Sequence, residues 1–129
     1  MEKLIMLIDD DGEELEILNE ALSLGNIQAT CVWAEGGEHA IQLLNHMTPD
    51  YIFIDINMPG MDGLSCLQEL QKKRALTNIP KIIYSTAIND STITNARERG
   101  AVGCIQKGDN IASLAVKLSA FLRGVAMSG

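Results

Sequence analysis

The sequence predicts an α/β protein, a parallel sheet with helices on both faces. Short apolar runs of strand length alternate with helix-period segments along the whole chain. Five such strand–helix units follow one another, the pattern of a doubly wound, five-stranded parallel sheet with right-handed crossovers. Acidic, hydroxyl and basic residues stand where those runs end. Open parallel sheets form their sites at that carboxyl edge.

Residues 3–9 read as the first strand, which leads into Asp9-Asp10-Asp11. Asp11 is expected to cap the next helix, with Glu14 three positions on as its capping-box partner. Leu15, Leu18 and Leu22 give that helix an apolar stripe, and Gly25 follows its end. Residues 28–33 read as the second strand. Gly36-Gly37 opens a second helix with Ala40, Leu43, Leu44 and Met47 on one face, and Pro49-Asp50 breaks it. The third strand, 51–55, is the buried-type run Tyr51-Ile52-Phe53-Ile54 ending in Asp55. A third helix from about Gly63 to Arg74 turns Leu64, Leu67 and Leu70 inward. Lys72-Lys73-Arg74, the only basic run, reads as cations complementing that helix's C-terminal dipole. After Pro80, Lys81-Ile82-Ile83-Tyr84-Ser85 is the fourth strand. Asn89-Asp90 caps a more polar fourth helix that stops at Gly100. Residues 102–106 form the fifth strand. Asp109 or Asn110 caps a last helix carrying Ile111, Leu114, Leu118 and Phe121, and the tail 124–129 is expected to fray.

With 129 residues, 47% of them hydrophobic, the chain is expected to form one domain, 1–129, with a real core. The first apolar run is too short for a secretory signal, and nothing approaches a membrane span, so a cytoplasmic location is expected. The net charge is −7, and six of the seventeen acids lie between Asp9 and Glu16. That sign repels phosphate backbones, so no nucleic acid is expected as a partner, and without a span no membrane either. Cys31, Cys66 and Cys104 are odd in number and show no CxxC spacing, which supports neither a zinc site nor a disulfide framework. His39 and His46 read as surface residues, and Trp33 and Met47 as packing residues. Gly36-Gly37 lacks the Lys-Ser/Thr of a P-loop.

A charge at the tip of a buried strand is costly unless it has a partner or a task. Asp9, with Asp10 beside it, ends the first strand, and Asp55 ends the third. Thr86 ends the fourth and Lys107 the fifth. The topology brings these residues, distant in sequence, to one edge. Carboxylates alone would repel one another, and Mg²⁺ would relieve this while leaving positions open for phosphate oxygens. Lys107 supplies a compact positive charge and Thr86 a hydroxyl donor. A carboxylate can attack phosphorus to give an aspartyl phosphate, whose transition state the metal and lysine would stabilise.

With those residues in place, the chain resembles the response-regulator receiver domains of two-component signalling over essentially its full length. Ile8-Asp9-Asp10 matches the family's acidic pair, and Asp55 its phosphoacceptor. Asn57 matches the position whose backbone carbonyl ligates the metal. Residues 58–63 match the loop after it, Thr86-Ala87 the switch hydroxyl with its small neighbour, and Lys107 the lysine. The resemblance implies a flavodoxin-like strand order 2-1-3-4-5. It also implies Mg²⁺ bound directly by Asp10, Asp55 and the Asn57 carbonyl, with Asp9 acting through water. The implied phosphodonor is a histidine kinase or histidine phosphotransfer protein. Gly108 stands where the family usually has proline, and Cys104 where it usually has the aromatic residue of the switch. The 129 residues are expected to leave none for an output domain. Output is therefore expected through an unknown partner protein, a further phosphotransfer step or a separate domain.

The competing enzyme reading is a haloacid-dehalogenase-type phosphatase, with Asp9 as nucleophile and Asp11 as acid/base. It leaves Asp55 idle and lacks a late acidic pair for the metal. A third reading, a pseudo-receiver that is not phosphorylated, conflicts with the complete set of acids, threonine and lysine.

Overall fold

The computed structural model describes residues 2–108 and 110–123. The proposed Asp109 cap and the tail 124–129 lie outside them. The chain alternates β1 (Lys3–Ile8), α1 (Glu13–Leu24), β2 (Ala29–Ala34), α2 (Gly37–Leu44), β3 (Tyr51–Ile54) and α3 (Gly63–Gln71). A 3₁₀ turn (Arg74–Leu76) precedes β4 (Lys81–Ser85), α4 (Asp90–Glu98), β5 (Gly103–Gln106) and α5 (Ile111–Leu122). The five strands form one sheet in the order β2-β1-β3-β4-β5, every pairing parallel. This is the fold class read from the strand–helix pattern, and the strand order is the one the resemblance implies.

Strand alternation divides the core into two layers. Ile5, Leu7, Phe53, Ile82 and Tyr84 face a cluster completed by Leu18, Leu22 and Leu118 of α1 and α5. Met6, Ile8, Ile52, Ile54 and Ile83 face the other cluster with Ala40, Leu67, Leu70 and Ala96 of α2, α3 and α4. The central strand β3 is buried on both faces, which explains its unbroken apolar run. β1 and β3 are in register from Ile5↔Tyr51 to Ile8↔Ile54, so Asp9 and Asp55 leave the sheet side by side.

Helix ends follow their capping chemistry. Asp62, Asn89 and Asn110 each accept a backbone N–H three residues on, starting α3, α4 and α5. At α1 the expectation holds only in part. The flanking residue is Gly12, and Asp11 Oδ1 accepts the Glu13 N–H at 3.0 Å. Glu14 does not complete a capping box, because its carboxylate is turned to Tyr84 and Lys107. α3 ends at Gln71, three residues short of the sequence reading. Of the basic run only Lys72 sits at its C-terminus, paired with Glu69 at 2.7 Å.

Lys81 is buried at the start of β4, donating to the carbonyls of Leu76 and Ile79. Burial lowers its ammonium to about 8. The lysine thereby ties the turn after α3 to the sheet.

Gly63 opens α3 directly over the end of β3. A Cβ there would stand 2.1 Å from the Asp55 carbonyl oxygen and 2.7 Å from Ile56 Cα, both backbone atoms. Overpacking of this kind costs about 1–3 kcal/mol. Gly63→Ala should therefore destabilise by about that amount in urea unfolding. Gly36→Ala, whose Cβ would meet nothing within 4 Å, should cost less, its loss limited to the preference of the α2 N-cap for glycine over alanine. Equal midpoints for the two variants would refute the close-approach argument.

Candidate functional site

The carboxyl ends of β1, β3 and β5 converge on one charged cluster. Asp9 is fully buried, Asp55 is 6% exposed, and Asp10 is exposed. One oxygen from each of these three carboxylates lies within 4.8 Å of the others. Lys107 reaches in from the end of β5, its Nζ 2.6 Å from Asp9 Oδ2 and 3.7 Å from Asp55 Oδ1. The structure thus brings together Asp9, Asp10, Asp55 and Lys107. Asn57 lies exposed just beyond Asp55.

Thr86 immediately follows β4. It is exposed and lines a cleft of about 230 Å³ with Glu14, Tyr84, Gln106, Lys107 and Gly108. The Thr86 hydroxyl makes no hydrogen bond among the described residues. Its backbone carbonyl accepts from the Gln106 amide at 3.4 Å.

The electrostatics follow from burial. Desolvation pushes the Asp9 carboxyl above the ordinary carboxylate range, although Lys107 and the Asp11 N–H, at 3.0 Å, act against it. Burial alone would lower the Lys107 ammonium. The bond to Asp9 and the negative charges of Asp9, Asp55 and Glu14 outweigh it and hold the ammonium above its usual value. Lys107 is therefore the positive charge that makes a buried acidic pair tolerable. Two buried carboxylates and an exposed third make an all-oxygen donor set that suits a hard cation such as Mg²⁺.

Three further residues belong to this surrounding and carry no motif. Trp33, at the end of β2, donates its indole N–H to the Asp9 backbone carbonyl at 2.7 Å. Glu14, in the first turn of α1, accepts from the Tyr84 hydroxyl at 3.2 Å, and its other oxygen lies 3.8 Å from Lys107 Nζ. The Lys107 ammonium also stands 5.3 Å from the centroid of the Tyr84 ring. Glu14 stands in the first turn of the helix that directly follows the acidic cluster, which could have placed it beside the site. Strand alternation could have placed Tyr84 on the same face as Thr86.

Gly108, after Lys107, has φ +99°. Proline cannot adopt that angle, because its ring holds φ near −65°. The turn between β5 and α5 therefore takes a path closed to proline. Cys104 on β5 is half-buried against the cluster that also contains Ile88, and burial raises its thiol.

Comparison with known proteins gives a consistent result. The sequence matches the family described as "Response regulator receiver domain" over residues 5–119. It is 32% identical over 103 residues to the nitrate/nitrite response regulator protein NarL of Escherichia coli K12, covering 80% of this chain and 47% of that protein. It is 30% identical to the DNA-binding transcriptional regulator NtrC of the same organism, covering 81% of this chain and 21% of NtrC. The chain thus spans less than half the length of these relatives. A solved signal receiver domain of a DNA-binding response regulator from Colwellia psychrerythraea 34H superposes with a TM-score of 0.80. The identity is 27%, and 94% of this chain and 98% of that one are covered. The exclusion of a nucleic-acid partner draws no support from relatives that are DNA-binding regulators, and the haloacid-dehalogenase reading draws none either. Among the described residues no helix is long and apolar enough to cross a membrane.

A metal held by the three acids should be visible at Trp33, whose indole is bonded to the Asp9 backbone. Mg²⁺ should shift its fluorescence. At tenfold above the Kd it should stabilise the fold by about 1.4 kcal/mol. Asp10→Ala and Asp55→Asn should weaken both effects, whereas Asp11→Ala should retain them and lose about 1 kcal/mol through the missing cap. Loss of the Mg²⁺ response in Asp11→Ala alone would assign the ligands wrongly.

Proposed function

The chain belongs to the response-regulator receiver family, and from that premise we propose that it is a phosphorylation-controlled signalling module with Asp55 as the phosphoacceptor. The observation that carries this is the nearly buried Asp55 carboxylate, with the Asp9 and Asp10 oxygens within 4.8 Å and the Lys107 ammonium 3.7 Å away. We read the whole of 1–129 as this one receiver domain.

In the proposed reaction an Asp55 carboxylate oxygen attacks the phosphorus of a phosphohistidine on a histidine kinase or phosphotransfer protein. The O–P bond forms as the P–N bond breaks, and the imidazole leaves with the electron pair. Asp9, Asp10, Asp55 and the Asn57 carbonyl would hold Mg²⁺, which supplies charge neutralisation for the phosphoryl oxygens when bound. Lys107 supplies the positive charge that the chain itself offers the phosphoryl group, exchanging part of its hold on Asp9 for it. Thr86 donates its hydroxyl to a phosphoryl oxygen, a charge-assisted bond stronger than any it makes in the present state. That pull moves the segment after β4 and biases the cleft it shares with Gln106, Lys107 and Gly108. The aromatic rotamer switch is absent, because Cys104 occupies its place. Signal then passes to an output partner or a further domain. Hydrolysis of the acyl phosphate, assisted by the same residues, would end it.

Acetyl phosphate with Mg²⁺ should add one phosphoryl group to the wild type in intact-mass analysis. It should add none to Asp55→Asn or to wild type treated with a chelator. Equal labelling of wild type and Asp55→Asn would remove Asp55 from the role. With beryllofluoride, amide NMR shifts should concentrate in 86–92 and 104–110. Shifts confined to the neighbours of Asp55 would exclude the proposed switch and leave a simple phosphoryl carrier.

A further inference from the structure

Lys107 has more carboxylate around it than the proposed chemistry uses. Asp9 and Asp55 account for two contacts, at 2.6 and 3.7 Å. The third is Glu14 at 3.8 Å, and Glu14 is not among the three acids whose oxygens cluster tightly enough to hold a metal. Its side chain is only 15% exposed, and one of its oxygens accepts the Tyr84 hydroxyl at 3.2 Å. Burial, with the Glu14 charge beside it, pushes the Tyr84 phenol well up. Tyr84 therefore keeps its proton and remains a donor. The same Tyr84 ring lies 5.3 Å from the ammonium, an attractive arrangement for a cation. A surface-type acid at a helix start has thus been fixed by a strand residue, with its free oxygen toward the lysine.

We propose that Glu14, held by the Tyr84 hydroxyl, is a second anchor for the Lys107 ammonium and sets how strongly that ammonium engages a phosphoryl group on Asp55. Glu14 is a positioning residue on this view, since it touches Lys107 and not the reacting atoms. The inference rests on the reading of Asp55 as acceptor.

The physical consequence has opposite signs for the two ligands of the site. A carboxylate near Lys107 adds negative potential, which favours a bound cation and disfavours a bound anion. It also competes with the phosphoryl oxygens for the ammonium. Glu14→Gln keeps the length of the side chain and still accepts from Tyr84 through its amide oxygen, so it removes the charge and leaves the packing. Mg²⁺ should then bind more weakly and beryllofluoride more tightly, each by roughly three- to fivefold for a partly exposed pair. A residue that only packs would move both ligands in the same direction or neither.

The test is calorimetric titration of the purified protein, first with Mg²⁺ alone and then with beryllofluoride at saturating Mg²⁺. Wild type, Glu14→Gln, Tyr84→Phe and the double variant are compared. The bound beryllofluoride is followed by its ¹⁹F spectrum. Opposite shifts in Glu14→Gln, a smaller change of the same sign in Tyr84→Phe, and no further change in the double variant are the expected result. Weakening of both ligands, or no change in either, would overturn the role of Glu14 while leaving the acceptor reading intact. Wild type that binds no beryllofluoride with Mg²⁺ would overturn the acceptor reading and this inference together.

Discussion

The molecule is organised around a buried acid that cannot stand alone. Asp9 sits at the end of a strand whose last four residues are fully buried, and it has no solvent exposure of its own. Removing a carboxylate from water costs several kcal/mol unless a partner is supplied, and deleting the partner afterwards is worse than never having had the pair. Lys107, 98 residues further on, is that partner. Its ammonium arrives only because β5 lies at the correct distance along the sheet and ends at the correct level. The ion pair therefore couples the first strand to the last across β3 and β4. It also concentrates charge at the edge where Asp10 and Asp55 emerge.

The rest of the site manages that charge. Trp33 fixes the backbone of Asp9 from the β2 side through its carbonyl. Tyr84 and Glu14 approach Lys107 from β4 and α1. Each of these residues comes from a different element, so the geometry of the cluster reports the packing of the whole sheet. The net effect is a lysine held among three carboxylates and an aromatic face. Its ammonium stays charged because its neighbours make neutrality more costly than burial makes charge.

Much of the framework was legible in the order of residues. β1 and β3 are apolar runs because they are buried on both faces, and their terminal acids stand out against that background. The charged edge follows from topology once five strand–helix units are recognised. The neighbours of Lys107 were not legible in the same way. Glu14 has the spacing of a capping-box acid, and nothing local distinguishes an acid that turns back to its helix start from one that turns across to a lysine. Tyr84 lies inside an apolar run, where a phenol and a packing ring read alike. Trp33 combines a packing body with an indole donor whose acceptor is a backbone carbonyl 24 residues away. α3 ends at Gln71 and the chain continues as a 3₁₀ turn at Arg74–Leu76, a change that no glycine or proline marks in the sequence.

The absence of a side chain at Gly63 sets a mechanical rule for the molecule. The first residue of α3 lies so near the Asp55 carbonyl that the two backbones have no slack between them, and the Gly63 N–H is bonded to the Ile56 carbonyl at 2.8 Å. Strand tip and helix start act as one welded corner. Thr86 and Gly108 stand on the other flank, both exposed and lining a cleft, and a Cβ on Gly108 would meet nothing within 4 Å. Asp55 thus has backbone packed against it on one side and an open cleft on the other. Room for rearrangement at this edge is therefore one-sided, on the flank of Thr86 and Gly108 and not on that of Gly63.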